Sequence, residues 1–337
     1  MELNLEIVAH GLGFPEGPVA LQDGGLIFVD IQKQGLFRLS ATGQVELVAN
    51  IPGGPNGVAI GPDGFAYVCN NGGIFDFVEM PPAPKGTGTR TRDEYLLLPD
   101  AACPGGMYRG GSISKVNLKT GHVTEIYGPN TGHQLIAPDD IVFDSKRPEG
   151  AFWFTDCGYQ NEGVLMKGGV YRATIDGKSL AKVARVPSAN GIGLSPEGDV
   201  LYVADTLFAR LWAIALDPLT RAVIPPYPDA PFDGGVILTL PGLQWLDSLK
   251  VEQSGRICIA TLLSGGITIF DKTDKSVDFL PVGVPLPNGL SKGDPMTSNL
   301  CFGGPNLDDV WITSSAEGRI YHGKTWPRPG LKLAFNA

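Results

Sequence analysis

The stretch Asn190-Gly-Ile-Gly-Leu194, followed by the turn Pro196-Glu-Gly198 and then Val200-Leu-Tyr-Val-Ala-Asp205, decides the fold. A polar residue opens a short apolar strand, a Pro-x-Gly turn reverses the chain, and a β-branched and aromatic second strand ends on a carboxylate. The unit recurs in both directions. Upstream stand Asp139-Asp-Ile-Val-Phe143 with Pro148-Glu-Gly150 and Ala151-Phe-Trp-Phe-Thr-Asp156, and Asn56-Gly-Val-Ala-Ile60 with Pro62-Asp-Gly64 and Phe65-Ala-Tyr-Val-Cys-Asn70. The first copy is Glu16-Gly-Pro-Val-Ala-Leu21 with Asp23-Gly-Gly25 and Leu26-Ile-Phe-Val-Asp30. Downstream come Asp247-Ser-Leu-Lys-Val251 with Ile257-Cys-Ile-Ala-Thr261, and the weakest copy, Ser298-Asn-Leu-Cys-Phe302 with Val310-Trp-Ile-Thr313.

Third and fourth strands follow most copies, as in Gly169-Val-Tyr-Arg-Ala-Thr174 and Ala181-Lys-Val-Ala-Arg-Val186, or Arg210-Leu-Trp-Ala-Ile-Ala215 and Val236-Ile-Leu-Thr-Leu240. Each repeat is therefore read as a four-stranded antiparallel meander that cannot cover both its faces alone. Radial stacking of six copies around a channel covers them, so the sequence predicts an all-β, six-bladed β-propeller. The repeats open at 16, 56, 139, 190, 247 and 298, and the one long interval, 83 residues, is an insertion in the second repeat. Residues 72–111, with Pro81-Pro-Ala-Pro84, read as a loop-like lid before a third strand at Ser112-Ile-Ser-Lys-Val116. The 39 residues after Ser298 suffice for three strands, so Leu3-Asn-Leu-Glu-Ile-Val8 is expected to supply the fourth and close the ring. Residues 1–337 are thus read as one domain.

The composition agrees. Of 337 residues, 46 are Gly and 28 Pro, spaced between apolar runs as turns require; 43% are hydrophobic and 18% charged, enough apolar material for a large core. A net charge of −9 argues against nucleic acid or an anionic membrane as partner and leaves a small-molecule substrate as the expected one. No basic, apolar leader and no apolar run of membrane-spanning length is visible. Five widely spaced cysteines form no CxxC pair, and Cys69, Cys258 and Cys301 sit in apolar alternation; a reduced, cytoplasmic protein without a cysteine-based zinc site is expected.

Equivalent positions of a propeller lie at equivalent heights, so Glu16, Asn56, Asp139, Asn190, Asp247 and Ser298 should converge at one end of the channel. Asn and Asp also open turns before strands, which accounts for any single position. For the set, three carboxylates in one narrow space repel each other, and a divalent cation relieves that repulsion. All-oxygen ligands fit Ca2+ best, with Mg2+, Mn2+ or Zn2+ as alternatives.

These motifs resemble the SMP-30/gluconolactonase/LRE-like family along essentially the whole chain. The resemblance rests on Phe14-Pro-Glu-Gly-Pro18, Pro138-Asp-Asp-Ile-Val-Phe-Asp144, Ala189-Asn-Gly-Ile-Gly-Leu-Ser-Pro196 and Asp247-Ser-Leu-Lys-Val251. It implies that Glu16, Asn190 and Asp247 bind one catalytic divalent cation, commonly Ca2+. The family's third motif reads Pro-Asn-Asp, whereas this chain has Pro138-Asp139-Asp140, which adds Asp139 as a charged group beside the metal. The implied reaction is lactone hydrolysis, with Asp247 or Asp139 as alternative bases toward water. Asn56, Tyr108, Arg109 and His133 are the candidate substrate contacts, and a solvated charge or surface histidine is the plainer reading of the last two. Asp140 is assigned to structural hydrogen bonds, Asp156 and Asp205 to bonds between blades, and Trp153, Trp212 and Trp311 to the core. Phosphoester hydrolysis or lyase chemistry on the same site, and a non-catalytic binding propeller, are the competing functions. A strictosidine-synthase-like propeller is disfavoured by the retained Glu16, Asn190 and Asp247.

Overall fold

The structure, a computed structural model, describes residues 3–80, 96–100, 108–161, 164–166, 168–285, 289 and 291–335. Six antiparallel sheets surround an axis, and each innermost strand opens on the expected polar motif. The inner strands are Pro15–Ala20, Pro55–Ile60, Pro138–Phe143, Ala189–Leu194, Trp245–Val251 and Thr297–Gly303 for blades 1 to 6. The ring closes as expected: Leu5–Ala9 pairs antiparallel with Arg319–Gly323, with Leu5 opposite Gly323 and Ile7 opposite Tyr321. First and last blades are thereby held by backbone hydrogen bonds as well as by packing.

Every inner strand carries a register shift at its polar residue, between Glu16 and Val19, Pro55 and Val58, Pro138 and Ile141, Ala189 and Ile192, Leu246 and Leu249, and Thr297 and Asn299. A bulge bends the strand and re-aims side chains. It also explains the glycines that follow three of the polar residues. A Cβ on Gly17 would lie 2.3 Å from the Asn56 carbonyl oxygen, and one on Gly57 2.4 Å from that of Asp139. On Gly191 it would lie 2.5 Å from that of Asp247. Adjacent inner strands approach so closely at this end that a side chain would force blades apart.

Buried apolar clusters fill the gaps between blades, for example Val142, Trp153, Ile192 and Val203 between blades 3 and 4. Trp153 and Trp311 are buried, while Trp212 is half-buried with its indole N–H donating to Asp205. Three features depart from expectation. The loop-like insertion 72–111 contains a hairpin, Asp76–Met80 paired with Leu96–Asp100; its 81–95 and 101–107 portions lie outside the described residues. A second hairpin, Tyr159–Asn161 with Val164–Met166, rises from blade 3. Past the last strand, Leu331, Leu333 and Phe335 turn into the far end of the channel, where Phe335 meets Phe143 edge-on with ring centroids 5.4 Å apart. The channel is therefore plugged at the end away from the polar openings.

Candidate active site

Asp156 fixes how the chain enters the third blade. Its carboxylate accepts the Ile136 and Ala137 amides, each at 2.8 Å, and that of Gly158 at 3.0 Å. Asp30 does the same for Gly13 and Phe14, and Asn70 for Gly54. These bonds lie within one blade, tying its second strand to the segment that leads into its own first strand. The expected bonds between blades are instead made by Thr155, whose hydroxyl donates to the Asn190 carbonyl at 2.5 Å, and by Ser315, which donates to that of Pro15 at 2.6 Å.

Held this way, the polar openings face one another. Asn190 donates through Nδ2 to Asp139 Oδ2 at 3.3 Å and also to the Asp247 carboxylate. Across the axis Glu16 accepts Asn299 Nδ2 and the Gly17 amide, both at 2.6 Å. Glu16, Asp139 and Asn190 are buried, and Asp247 is half-buried. Burial lifts the Glu16 carboxyl to about 6, against the pull of its hydrogen bonds from Asn299, Gly17 and Ser298. Burial, followed by repulsion from Glu16, holds Asp139 and Asp247 well above the ordinary carboxylate range. Asp140 points deeper, where Lys250 Nζ lies 3.3 Å from its Oδ2, and it accepts the Ile141 amide.

Two oxygens are left over. Asp139 Oδ1 and Asn190 Oδ1 are buried without any hydrogen-bond donor, although the other atom of each group is bonded. Buried acceptors without donors are costly, and a cation satisfies both at once. Among the described residues no group of three or more His, Cys, Asp or Glu side chains is gathered as metal ligands. The oxygen set at the axis is instead mixed, an amide set between two carboxylates with Glu16 opposite, and its all-oxygen chemistry fits a hard divalent cation.

The remaining candidates are scattered. Asn56 is buried at the same level and makes no side-chain hydrogen bond among the described residues. Ser298 is committed to Thr313 and Ser315. Tyr108 donates its hydroxyl to the Ile136 carbonyl at 2.8 Å, and Arg109 is exposed. His133 is not brought to the axis: it lies against Thr131 and, edge-on at 5.1 Å, against Tyr127 of the outer strand of blade 2. Three participants were not foreseen. Asn299 holds Glu16, Cys157 neighbours Asp139 while its thiol donates to the Gly158 carbonyl at 3.4 Å, and Phe77 of the hairpin packs on Phe14 with centroids 5.3 Å apart. Only Asn299 left a signal, since it sits beside Ser298 in the repeat position that glycine occupies in three other copies.

The sequence matches the model of the SMP-30/gluconolactonase/LRE-like region over residues 14–316. The chain belongs to the SMP-30/gluconolactonase/LRE-like family. Among curated relatives, a gluconolactonase of Zymomonas mobilis is 25% identical over 331 residues, covering 89% of this chain and 76% of the relative. Lactonase drp35 of Staphylococcus haemolyticus is 30% identical over 161 residues, 48% of this chain and 45% of the relative, so that match spans just under half its length. The solved structure of regucalcin, a calcium-binding protein of Agrobacterium tumefaciens, superposes with a TM-score of 0.64 at 17% identity, covering 98% of both chains. At that identity the likeness is one of fold, and the six-bladed ring of this family member agrees with it.

Proposed function

We propose that this family member is a divalent-metal-dependent hydrolase that opens lactones. The observation that carries the reading is the pair of buried, donorless oxygens of Asp139 and Asn190 at the centre of the carboxylate ring. The gluconolactonase and drp35 relatives support the reaction class, and the regucalcin likeness favours Ca2+. Glu16, Asp139, Asn190 and Asp247 would hold the cation. Bound there, it supplies Lewis-acid polarisation of the ester carbonyl.

The protein's own groups do the rest. Asn190 bridges Asp139 and Asp247 and fixes their spacing, while Asn299 orients Glu16 from the opposite side. Asp247, half-buried where Asp139 is almost fully buried, has the better access to incoming water and takes its proton. Asp139 adds charge beside the cation. Phe14 and Phe77 form an apolar lip that keeps bulk water from one flank. Metal analysis of purified protein, followed by a lactone panel with and without EDTA, tests this. Hydrolysis abolished by EDTA and restored by Ca2+ is the expected result, and EDTA-resistant hydrolysis would remove the metal from the reaction.

A further inference from the structure

A separate cavity of about 240 Å3 opens between blades 1 and 2, lined among others by Ile31, Gln34, Asn71, Phe75, Phe77 and Arg109. It adjoins the site: Phe77, in its wall, packs with a tilted ring on Phe14, two residues before Glu16, and Ile31 belongs to the same apolar cluster as Phe14 and Leu262. Beside the exposed Gln32, its polar side chains are Asn71, Gln34 and Arg109. Asn71 is fully buried, and its Oδ1 accepts the Gly73 amide at 3.0 Å and the Ile74 amide at 3.4 Å. That fixes the amide's orientation and leaves Nδ2 a buried donor with no acceptor. Gln34 uses its oxygen on the Gly53 amide at 3.2 Å, which turns its own NH2 outward in the same way. Arg109 is exposed and pairs with no carboxylate among the described residues.

We propose that this cavity binds a carboxylate on the substrate, so that the preferred lactones carry a second, anionic group apart from the ring ester. The inference rests on the hydrolase reading above and names its substrate class. Two amide donors and a guanidinium in one cavity are matched by an acceptor-rich, negatively charged group. A neutral hydroxyl would satisfy Asn71 while leaving the Arg109 charge unused. In a chain of net charge −9 with a carboxylate ring close by, an exposed Arg in the same cavity as a buried amide donor that lacks an acceptor suits an anion. The apolar walls, Ile31, Phe75 and Phe77, leave room for a short carbon chain between carboxylate and ring.

The test compares a carboxylate-bearing lactone with its neutral amide on the wild-type protein and on Arg109→Gln and Asn71→Asp. Aspartate keeps the oxygen that Gly73 and Ile74 need and replaces only the free donor, so the loop should retain its conformation. The wild type should favour the anionic lactone in kcat/KM by at least about tenfold, and either variant should bring the ratio close to one, as loss of a charge-assisted hydrogen bond implies. In parallel, glutarate is titrated against the Asn71 side-chain amide resonance, where a saturable shift lost in Arg109→Gln is expected. A wild-type ratio near one, or a ratio unchanged in both variants, would overturn the carboxylate site while leaving the hydrolase intact. If the metal-loaded wild type opens no lactone at all, the hydrolase reading fails, and the glutarate titration alone then decides for or against the cavity.

Discussion

Asp139→Asn is the substitution on which the account commits itself most. It removes one negative charge and no volume, and Asn190 Nδ2, 3.3 Å from Asp139 Oδ2, keeps an acceptor if the new amide oxygen takes that place. A full charge about 4 Å from a cation is worth about 4 kcal/mol per unit of cation charge at an effective dielectric of 20. That figure is an upper bound. Asp139 also suffers burial and repulsion from Glu16 and Asp140, both of which the substitution relieves. The net loss should leave metal affinity weaker by about 10- to 100-fold, or about 1.4 to 2.8 kcal/mol. Calorimetric Ca2+ titration measures this, and turnover at saturating Ca2+ is measured beside it. With Asp139 tuning the cation and Asp247 taking the proton, turnover should stay within about threefold of wild type. A drop of about 10²-fold or more with metal fully bound would make Asp139 the base, since an amide accepts no such proton. Unchanged affinity would place Asp139 outside the cation's reach and refute the electrostatic argument itself.

Other predictions follow from the same geometry. Asp247→Ala should remove metal and activity together, as read by metal analysis and assay of the folded variant; full occupancy in that variant would take Asp247 out of the ligand set. Replacing the 76–100 hairpin by a short turn should change preference across a lactone panel while leaving Ca2+ affinity within about threefold, and identical kinetics would reduce the hairpin to decoration. Burial, reinforced by Glu317, lifts Asp294 to about 6 from the ordinary 3.8. Its contribution to stability is therefore complete below about pH 4 and lost as pH rises through 6, by at most about 3 kcal/mol. Denaturant unfolding of Asp294→Asn between pH 4 and 7 should lack that decline, and an unaltered pH profile would assign it elsewhere. Truncation after Gly330 should remove the apolar plug formed by Leu331, Leu333 and Phe335 and lower the unfolding temperature by several degrees.

The ring of blades was legible because the deciding residues are local. Each Pro-x-Gly turn and each apolar strand is written in consecutive positions, and the polar residue opening Asn190-Gly-Ile-Gly is placed by the same repeat that places Glu16. Closure by Leu5–Ala9 could be inferred from counting strands. What escaped depends on contacts distant in sequence. Asn299 meets Glu16 across 283 positions, Lys250 meets Asp140 across 110, and Phe335 reaches Phe143 across the floor of the channel. The hairpin at Asp76–Met80 and Leu96–Asp100 escaped for another reason: the proline- and glycine-rich residues between its strands read as loop. His133 was misplaced because nearness in sequence to Asp139 stood in for nearness in space, while the structure seats it on Tyr127.

The central claim is that one divalent cation, held by Glu16, Asp139, Asn190 and Asp247, is required for lactone hydrolysis. The most direct measurement strips the protein of metal, adds Ca2+ stepwise, and follows cation binding and hydrolysis of a lactone in the same titration. Activity rising in proportion to occupancy and levelling off at one cation per chain is the predicted result. Full hydrolysis before any cation is added, or none at full occupancy across a broad lactone panel, would contradict it.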